Sequence, residues 1–145
     1  MGFSFVYASA LVGLKAIPVR VEADISKGMP RFTIVGLPDA AVSESRERVR
    51  SAMKNCELPF PRTAITINLA PADVRKQGPV YDLAIAMSVL GASDVINDVA
   101  SMQRMLFLGE LALDGSIRPI RGVLLTALMA KAQGYDGLIV SHDNA

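Results

Sequence analysis

The residues that could make or break a covalent bond are few and scattered along the chain. There is one cysteine, Cys56, and one histidine, His142. Nucleophilic catalysis needs an activatable heteroatom beside a base, and adjacency of His142 and Asp143 in sequence does not make a catalytic triad. The serines on or near predicted helices have no obvious base beside them; they are Ser43, Ser45, Ser88 and Ser93. We therefore predict no catalytic residue and a solvated histidine.

Metal and nucleotide sites are not indicated either. One cysteine and one histidine cannot make a zinc site, and the stretch DVIND at residues 94–98 lacks EF-hand spacing. The motif Gly-x-x-x-x-Gly-Lys-[Ser/Thr], whose backbone cradles phosphates, does not occur. We expect these residues to bind no metal and no cofactor.

Cationic side chains recur where they could contact a polyanion. Three of them follow one another at four-residue spacing on the first predicted helix, and two lie together on a later loop. They suit phosphates as charged donors that read no sequence, and the alternative is a solvated helix face that also carries Glu44 and Glu47. No aromatic residue interleaves with them, so base stacking is not predicted. The five candidates are Arg46, Arg50, Lys54, Arg75 and Lys76.

The stretch RKQGPVYDLAIA, residues 75–86, runs from a glycine-proline turn into an apolar helix. Asp82 stands at the start of that helix, where a carboxylate favours a role as N-cap or a contact with the helix dipole. The alternative for Asp82 is a functional contact across a subunit interface.

These positions must be held by alternating strands and helices. The patterns predict strands at 3–11, 17–25, 32–35, 63–70 and 135–141, a hairpin of two strands within 106–118 turning at Asp114-Gly115, and helices at 40–55, 82–92 and 121–134. Such an order predicts an α/β (α+β) domain, a layered sheet with helices.

Several positions carry sharper structural expectations. Asp39 is a candidate N-cap for the first helix. Cys56 continues a helical stripe of apolar residues and is expected in the core. Pro18 suggests that its strand begins near a sheet edge. The helix at 82–92 is apolar nearly all round, so it is expected to lie centrally.

Two long segments, residues 32–55 and 65–91, closely resemble the N-terminal domain of the YifB/ComM family, and the similarity continues to residue 145. These are bacterial magnesium chelatase-like, or competence-protein, ATPases. The resemblance implies a Lon-protease-like domain, similar to the second domain of a small-subunit ribosomal protein, followed by an AAA+ ATPase module. Residues 1–145 are then one domain, expected to be a piece that lacks its last elements and the ATPase module, to which ATP and magnesium belong.

The Lon-type resemblance gives residues 76–82 a specific meaning. The loop of Lon proteases reads Lys-Asp-Gly-Pro-Ser-Ala-Gly with serine as nucleophile, and this chain places Val80 at the serine position. The lysine base of the Lon dyad corresponds to Leu124, after the turn Pro-Ile-Arg-Gly-Val. Hydrocarbon side chains cannot serve as nucleophile or base, so no peptidase activity is expected; Tyr81 is expected to fill the former substrate groove or to pack in the core.

The function implied by the resemblance is that of a non-catalytic accessory domain. It would support ring assembly and DNA handling, in branch migration, recombination or natural transformation, with the five cationic residues as DNA contacts. The alternatives are an ATP-dependent Lon-like protease domain of altered activity and a protein-recruitment module. No stretch is long enough to span a membrane, and the single cysteine fits the cytoplasm.

Overall fold

A computed structural model describes residues 2–144 of the chain, and a six-stranded sheet is its framework. The strands are β1 (Gly2–Val12), β2 (Lys15–Ser26), β3 (Arg31–Val35), β4 (Ala64–Ala70), β5 (Met105–Phe107), β6 (Glu110–Leu111), β7 (Ile117–Arg118) and β8 (Gly137–Ile139). The helices are α1 (Ala40–Ser43), α2 (Ser45–Asn55), α3 (Asp82–Ala92), α4 (Val99–Met102) and α5 (Val123–Gln133), with single 3-10 turns at Pro79–Tyr81 and His142–Asn144.

The main sheet is mixed, in the order β3-β4-β2-β1-β5-β8. β1 and β2 form a long antiparallel hairpin in which Gly2 pairs with Ile25 and Val12 with Lys15. β4 runs antiparallel to β2, whereas β3 joins β4, and β5 and β8 join the other end, in parallel. β6 and β7 pair separately around the turn at residues 112–116.

The core lies between the long hairpin and α3. Ten of the eleven residues of α3 are buried, and the inward face of β2 is formed by Val19, Val21 and Ala23, all fully buried. Removing apolar surface from water contributes about 25 cal/mol per Å², so a helix that is apolar all round is stable only in such a central position. The predicted α/β (α+β) class, a layered sheet with helices, is confirmed.

The structure tests two local expectations, one for Asp39 and one for Pro18. Asp39 caps α1, its Oδ1 accepting from the Val42 amide at 2.8 Å. β4 pairs only with Arg20–Ser26, so the beginning of β2, which contains Pro18, has a strand partner on one side only within the described residues. The expectation that this strand begins near a sheet edge is therefore confirmed, although β2 as a whole is internal.

The expectation that Cys56 lies in the core is wrong, and the predicted hairpin is shorter than expected. Cys56 is exposed, because α2 ends at Asn55 and Cys56 is its C-cap, turned toward the carbonyl of Asp114. The predicted hairpin that turns at Asp114-Gly115 is confirmed, with β6 and β7 as its two strands. It is shorter than the predicted range 106–118, because β5 enters the main sheet. Within residues 2–144, no helix is long and apolar enough to cross a membrane.

Candidate functional site

A groove of about 690 Å³ opens beside the end of β1 and the loop before α3. Its walls come from four parts of the chain: the last residues of β1, the loop 73–81, Glu110, and the segment from Pro119 to the first turns of α5. Asp39 holds the loop in place, because its backbone N–H bonds to the Lys76 carbonyl and its Oδ2 accepts from the Gly78 amide, both at 3.0 Å. Hydrogen bonds from Asp39 therefore fix the loop that forms one wall of the groove.

Val80, the residue predicted at the nucleophile position, lines this groove. Tyr81 beside it is buried in the core and also reaches the groove wall, so it serves in both of the places expected for it. Burial raises the pKa of Tyr81 above its ordinary value of 10.0, and the nearby charge of Asp39 raises it further. The phenol is thus held neutral and cannot act as an anionic nucleophile at neutral pH.

Leu124, the residue predicted at the base position, points elsewhere. Its side chain is 73% exposed, and it is not part of the groove wall. The residue of α5 that does reach the groove is Thr126. It lies two positions after Leu124, and residues two apart on a helix do not share a face. The two degenerate protease positions are therefore not brought together in one site.

A pair of hydroxyl groups, Ser9 and Thr126, lies at the groove wall and was missed by the sequence analysis. Their oxygens are 2.8 Å apart and both side chains are buried. The residues are separated by 117 positions, and no local pattern marks either of them. Each hydroxyl has another hydroxyl as its hydrogen-bond partner, which cannot accept a proton as a base does.

Lys76, one of the five predicted phosphate contacts, is fully buried, and its ammonium group donates to the Pro71 carbonyl. Its backbone is paired as well, since its amide donates to the Leu37 carbonyl at 3.0 Å. Desolvation lowers the pKa of Lys76 from 10.5, with the charge of Asp73 opposing that shift. The prediction that Lys76 contacts a polyanion is wrong, because burial in the fold removes the side chain from the surface.

Asp82 is the first residue of α3, and the N-cap is Tyr81, which caps with no side-chain hydrogen bond. The Asp82 carboxylate is fully buried and accepts from Arg48 Nε at 2.6 Å, Arg48 Nη2 at 3.1 Å, Ser45 Oγ at 2.5 Å and the Leu111 amide at 3.0 Å. The predicted N-cap role is wrong, but Asp82 lies in the first turn of α3, where a carboxylate interacts favourably with the helix dipole, as expected. Its burial within the chain does not favour the alternative of a contact across a subunit interface. Asp82 instead joins α2, α3 and β6.

Arg48 supplies the cation of this network. It forms an ion pair with Glu44, four residues before it, at 3.4 Å, but its main partner is Asp82. The hydrogen bond to Asp82 raises the pKa of Arg48 above its ordinary value, and burial partly opposes the shift. The guanidinium forms two bonds to one carboxylate, the geometry in which arginine is strongest.

The other predicted phosphate contacts are exposed but do not form one surface. Arg46, Arg50 and Lys54 are exposed on α2, and Arg50 lies 3.2 Å from Glu47. Arg75 is exposed in the groove, to which none of the three α2 cations contributes. Two separate groups of cations are therefore available.

His142 and the possible metal ligands are the remaining candidates from the sequence. The His142 side chain is 95% exposed and lies 3.2 Å from Asp143, so the expected solvated histidine is confirmed. Among residues 2–144, no three side chains of His, Cys, Asp and Glu gather closely enough to hold a metal ion.

Comparison with known proteins gives consistent matches along the chain. A family model described as subunit ChlI of Mg-chelatase matches residues 21–144. Competence protein ComM of Haemophilus influenzae is 41% identical over 145 residues, covering 100% of this chain and 28% of ComM. The uncharacterized protein YifB of Escherichia coli is 44% identical over 144 residues, covering 99% of this chain and 28% of YifB.

A more distant match is Lon protease 1 of Hydrogenovibrio crunogenus, which is 23% identical over 133 residues, covering 87% of this chain and 16% of the protease. The chain thus spans 28% of the length of ComM and YifB.

Proposed function

We propose, from the premise that this chain belongs to the YifB/ComM family of Mg-chelatase-like proteins, that it is a non-catalytic, Lon-like accessory domain of a cytoplasmic AAA+ ATPase. In the longer protein it supports ring assembly and the handling of DNA during branch migration, recombination or natural transformation. ATP and magnesium serve the ATPase module and are bound elsewhere, because this sequence has no phosphate-binding glycine loop.

The observation that carries the non-catalytic proposal is the identity of the groove residue Val80. A Lon-type cleft needs a hydroxyl at this place and an amine within hydrogen-bond reach of it. Val80 supplies neither, and Leu124 is exposed outside the groove. The one lysine near the loop, Lys76, is buried on the Pro71 carbonyl.

A peptidase assay with casein tests this part of the proposal. We expect no turnover by the unmodified chain, and none by Val80→Ser combined with Leu124→Lys, because a lysine at position 124 projects away from the groove. A fluorophosphonate probe should label neither protein. Cleavage or labelling by the unmodified chain that is lost in Ser9→Ala would instead favour the alternative, a Lon-like protease domain of altered activity.

The DNA-handling part is supported by exposed cations, Arg46, Arg50 and Lys54 on α2 and Arg75 in the groove. Contacts of this kind bind phosphates without sequence preference and weaken as salt rises. We expect weak, salt-sensitive binding to DNA of unrelated sequences. Arg75→Glu tests the groove and Arg46→Glu with Lys54→Glu tests the helix; DNA binding that neither change affects would exclude both groups as contacts.

A second candidate, a protein-recruitment module, is favoured by the open edge of β1. Residues 8–12 of β1 pair with β2 on one side, but on the side of β5 the pairing is limited to Tyr7, so within the described chain no strand lies on that side of residues 8–12. Residues 9–12 line the groove. An unpaired edge can accept an extended peptide as an added strand. The groove is lined by two cations, Arg75 and Arg121, and by two acidic residues, Asp73 and Glu110, so its charge favours neither an acidic nor a basic peptide.

The recruitment candidate is tested with a fluorescein-labelled peptide in which leucines alternate with uncharged polar residues, and with the same peptide N-methylated at alternate amides. Strand addition requires backbone donors, so methylation should abolish a rise in fluorescence polarisation. Equal binding of the two peptides, or no loss in Val80→Arg, would count against this candidate.

A further inference from the structure

A second cleft, about 340 Å³ in volume, lies between α2 and the starts of β3 and β4. Its distinctive residues are three arginines and two phenylalanines, here called the arginine cleft: Arg31, Phe32, Arg50, Phe60 and Arg62. We propose that the arginine cleft binds one nucleotide of single-stranded DNA, with guanidinium groups on the phosphates and the base against Phe60. The inference rests on the proposed DNA handling and assigns a site to it.

The fold brings the arginines together from distant parts of the sequence. Arg31 opens β3, and its amide donates to the Thr63 carbonyl at 3.3 Å, next to Arg62. β3 and β4 run parallel with Arg31 paired to Ala64, so both arginines stand at the same end of the sheet. Arg50 reaches the cleft from α2.

Two of the three arginines of the arginine cleft have no acidic partner within the described part of the chain. No acidic residue lines the cleft, and neither Arg31 nor Arg62 forms an ion pair within residues 2–144. Arg50 is shared with Glu47, which is 76% exposed. Guanidinium groups match phosphates through paired N–H donors, so a phosphate would relieve the mutual repulsion of the three cations.

Aromatic rings form the wall beside these charges. Phe32 is buried, Phe60 is half-buried, and their ring centroids are 5.6 Å apart. The Arg50 guanidinium lies 6.0 Å from the Phe32 ring and 5.8 Å from the Phe60 ring. No aromatic residue interleaves with the cations in sequence, but the fold brings two rings beside Arg50. Aromatic rings beside cationic groups are typical of proteins that bind single strands.

The size and surroundings of the cleft favour a single strand over a duplex. A volume of 340 Å³ is near the lower limit of ligand sites, about 300–1,000 Å³, so it can hold one base only if that base is unstacked from its own helix. Arg46 and Lys54 lie on α2 one turn to either side of Arg50, a rise of about 6 Å each. These two cations extend the path for neighbouring phosphates.

Fluorescence anisotropy of labelled oligo(dT) and of a duplex of equal length, measured over a range of potassium chloride concentrations, tests the proposal. For Arg31→Gln with Arg62→Gln we expect the salt slope for oligo(dT) to fall by about 1.4, because each phosphate contact to a single strand contributes about 0.7. The matched control is Lys15→Gln with Lys131→Gln, which removes the same charge from the opposite end of β2 and from α5. The control should keep the wild-type slope.

Phe60 is tested separately from the charges. Phe60→Leu should weaken oligo(dT) binding by about fivefold or more, the loss of one stacked base, with the salt slope and duplex binding unchanged. Phe60→Tyr keeps the ring and should restore the affinity, which a merely destabilised variant would not do. Circular dichroism confirms that each variant is folded.

The possible failures are distinguishable. If the unmodified chain binds neither probe at low salt, the DNA-handling proposal fails and the arginine cleft fails with it. If oligo(dT) binds but the arginine pair behaves like its control, DNA handling stands and the cleft is overturned. If the arginine pair lowers the slope but Phe60→Leu has no effect, the stacked base is overturned.

Discussion

At the scale of single residues, the Asp82 carboxylate determines how α2 and α3 meet. It is fully buried and accepts four hydrogen bonds, two of them from Arg48. A buried ion pair adds little over apolar residues of the same volume, but removal of one partner leaves an uncompensated charge in the interior. The network is therefore more sensitive to a single change than to a double one.

We expect Arg48→Met to destabilise the chain by about 3–5 kcal/mol, because Asp82 would remain buried without its cation. Arg48→Met combined with Asp82→Leu should lose clearly less. Urea unfolding followed by circular dichroism measures both, with Glu44→Gln as control, since an exposed ion pair contributes about 0–1 kcal/mol. A double variant as unstable as the sum of its single changes would contradict this account of the network.

Lys76 makes a pH-dependent contribution of definite sign. Burial lowers its pKa in the folded chain below 10.5, so between the lowered pKa and 10.5 the unfolded chain binds more protons than the folded one. Stability must then rise with pH across that interval. We expect the rise to be absent in Lys76→Met, which fills the same volume without a titrating group.

The difference in urea midpoint between wild type and Lys76→Met, followed as pH approaches 10.5, isolates this effect from the tyrosines, which titrate in both proteins. A difference that stays constant with pH would show that Lys76 is not desolvated. Arg75→Met serves as control, because Arg75 is the neighbour of Lys76 in sequence and its side chain is exposed.

At this scale the sequence shows which chemical groups a loop carries, but it does not show which of them are buried. The identity of Val80 at a nucleophile position can be seen in seven consecutive letters, because the loop is a local motif. The burial of Lys76 depends on a backbone bridge to Pro38 and on the Pro71 carbonyl. A lysine next to an arginine in a polar loop gives no sign of such contacts, since burial of lysine is rare.

At the scale of elements, Asp39 couples the start of α1 to the loop before α3. One carboxylate oxygen caps the Val42 amide at 2.8 Å and the other accepts from the Gly78 amide at 3.0 Å. Gly78 has a φ of 80°, a conformation that glycine adopts without strain. The groove wall therefore depends on a helix cap.

We expect Asp39→Ala to lose about 1–2 kcal/mol of stability, the value of an N-cap side chain, and to increase amide exchange at both Val42 and Gly78. Asp39→Ser is the matched comparison, because a serine hydroxyl can still cap Val42 but offers no second oxygen to Gly78. In that variant only Gly78 should exchange faster. Protection of Gly78 in Asp39→Ala would show that another contact holds the loop.

The elements that sequence patterns predicted well are those whose own residues determine their position. The alternation of β2 and the apolar composition of α3 each require burial whatever the neighbouring strands are. β5 and β8 have only three residues each and pair in parallel, although some thirty residues of chain separate them. Strands this short have no hydrophobic period that would indicate their partner. For the same reason α4, a single turn, was not foreseen.

At the scale of the whole molecule, the groove and the arginine cleft occupy opposite ends of the long hairpin. The groove takes in Leu11 and Val12 at the β1–β2 turn, whereas the arginine cleft adjoins the start of β4, which pairs with Ser26 at the far end of β2. The cleft combines segments around residues 31, 50 and 62, and neither its arginines nor its phenylalanines are close in sequence. Only the fold could bring them together, which is why the sequence did not indicate the site.

The apolar side chains beside the groove are where the proposed self-association would be expected. Leu14 is 88% exposed at the hairpin tip, and Leu124 and Leu128, one turn apart on α5, are 73% and 59% exposed. Leu11 lies against Gly122 at the start of α5, so the tip and the helix adjoin. Exposed apolar side chains that lie near one another are typical of an interaction face, and the ring assembly proposed above makes a second copy of the chain the partner to test.

We expect the chain to associate as its concentration rises, and Leu124→Glu with Leu128→Glu to weaken that association about a hundredfold, since burial of each leucine contributes about 1.5 kcal/mol. Sedimentation velocity over a concentration series measures both. Lys131→Glu with Gln133→Glu changes the charge of the same helix at exposed positions and should leave the association intact. A chain that stays monomeric throughout, or a leucine pair that behaves like this control, would remove α5 from the proposed interface, and because the arginine cleft lies at the other end of the hairpin, its binding of oligo(dT) should persist in either case.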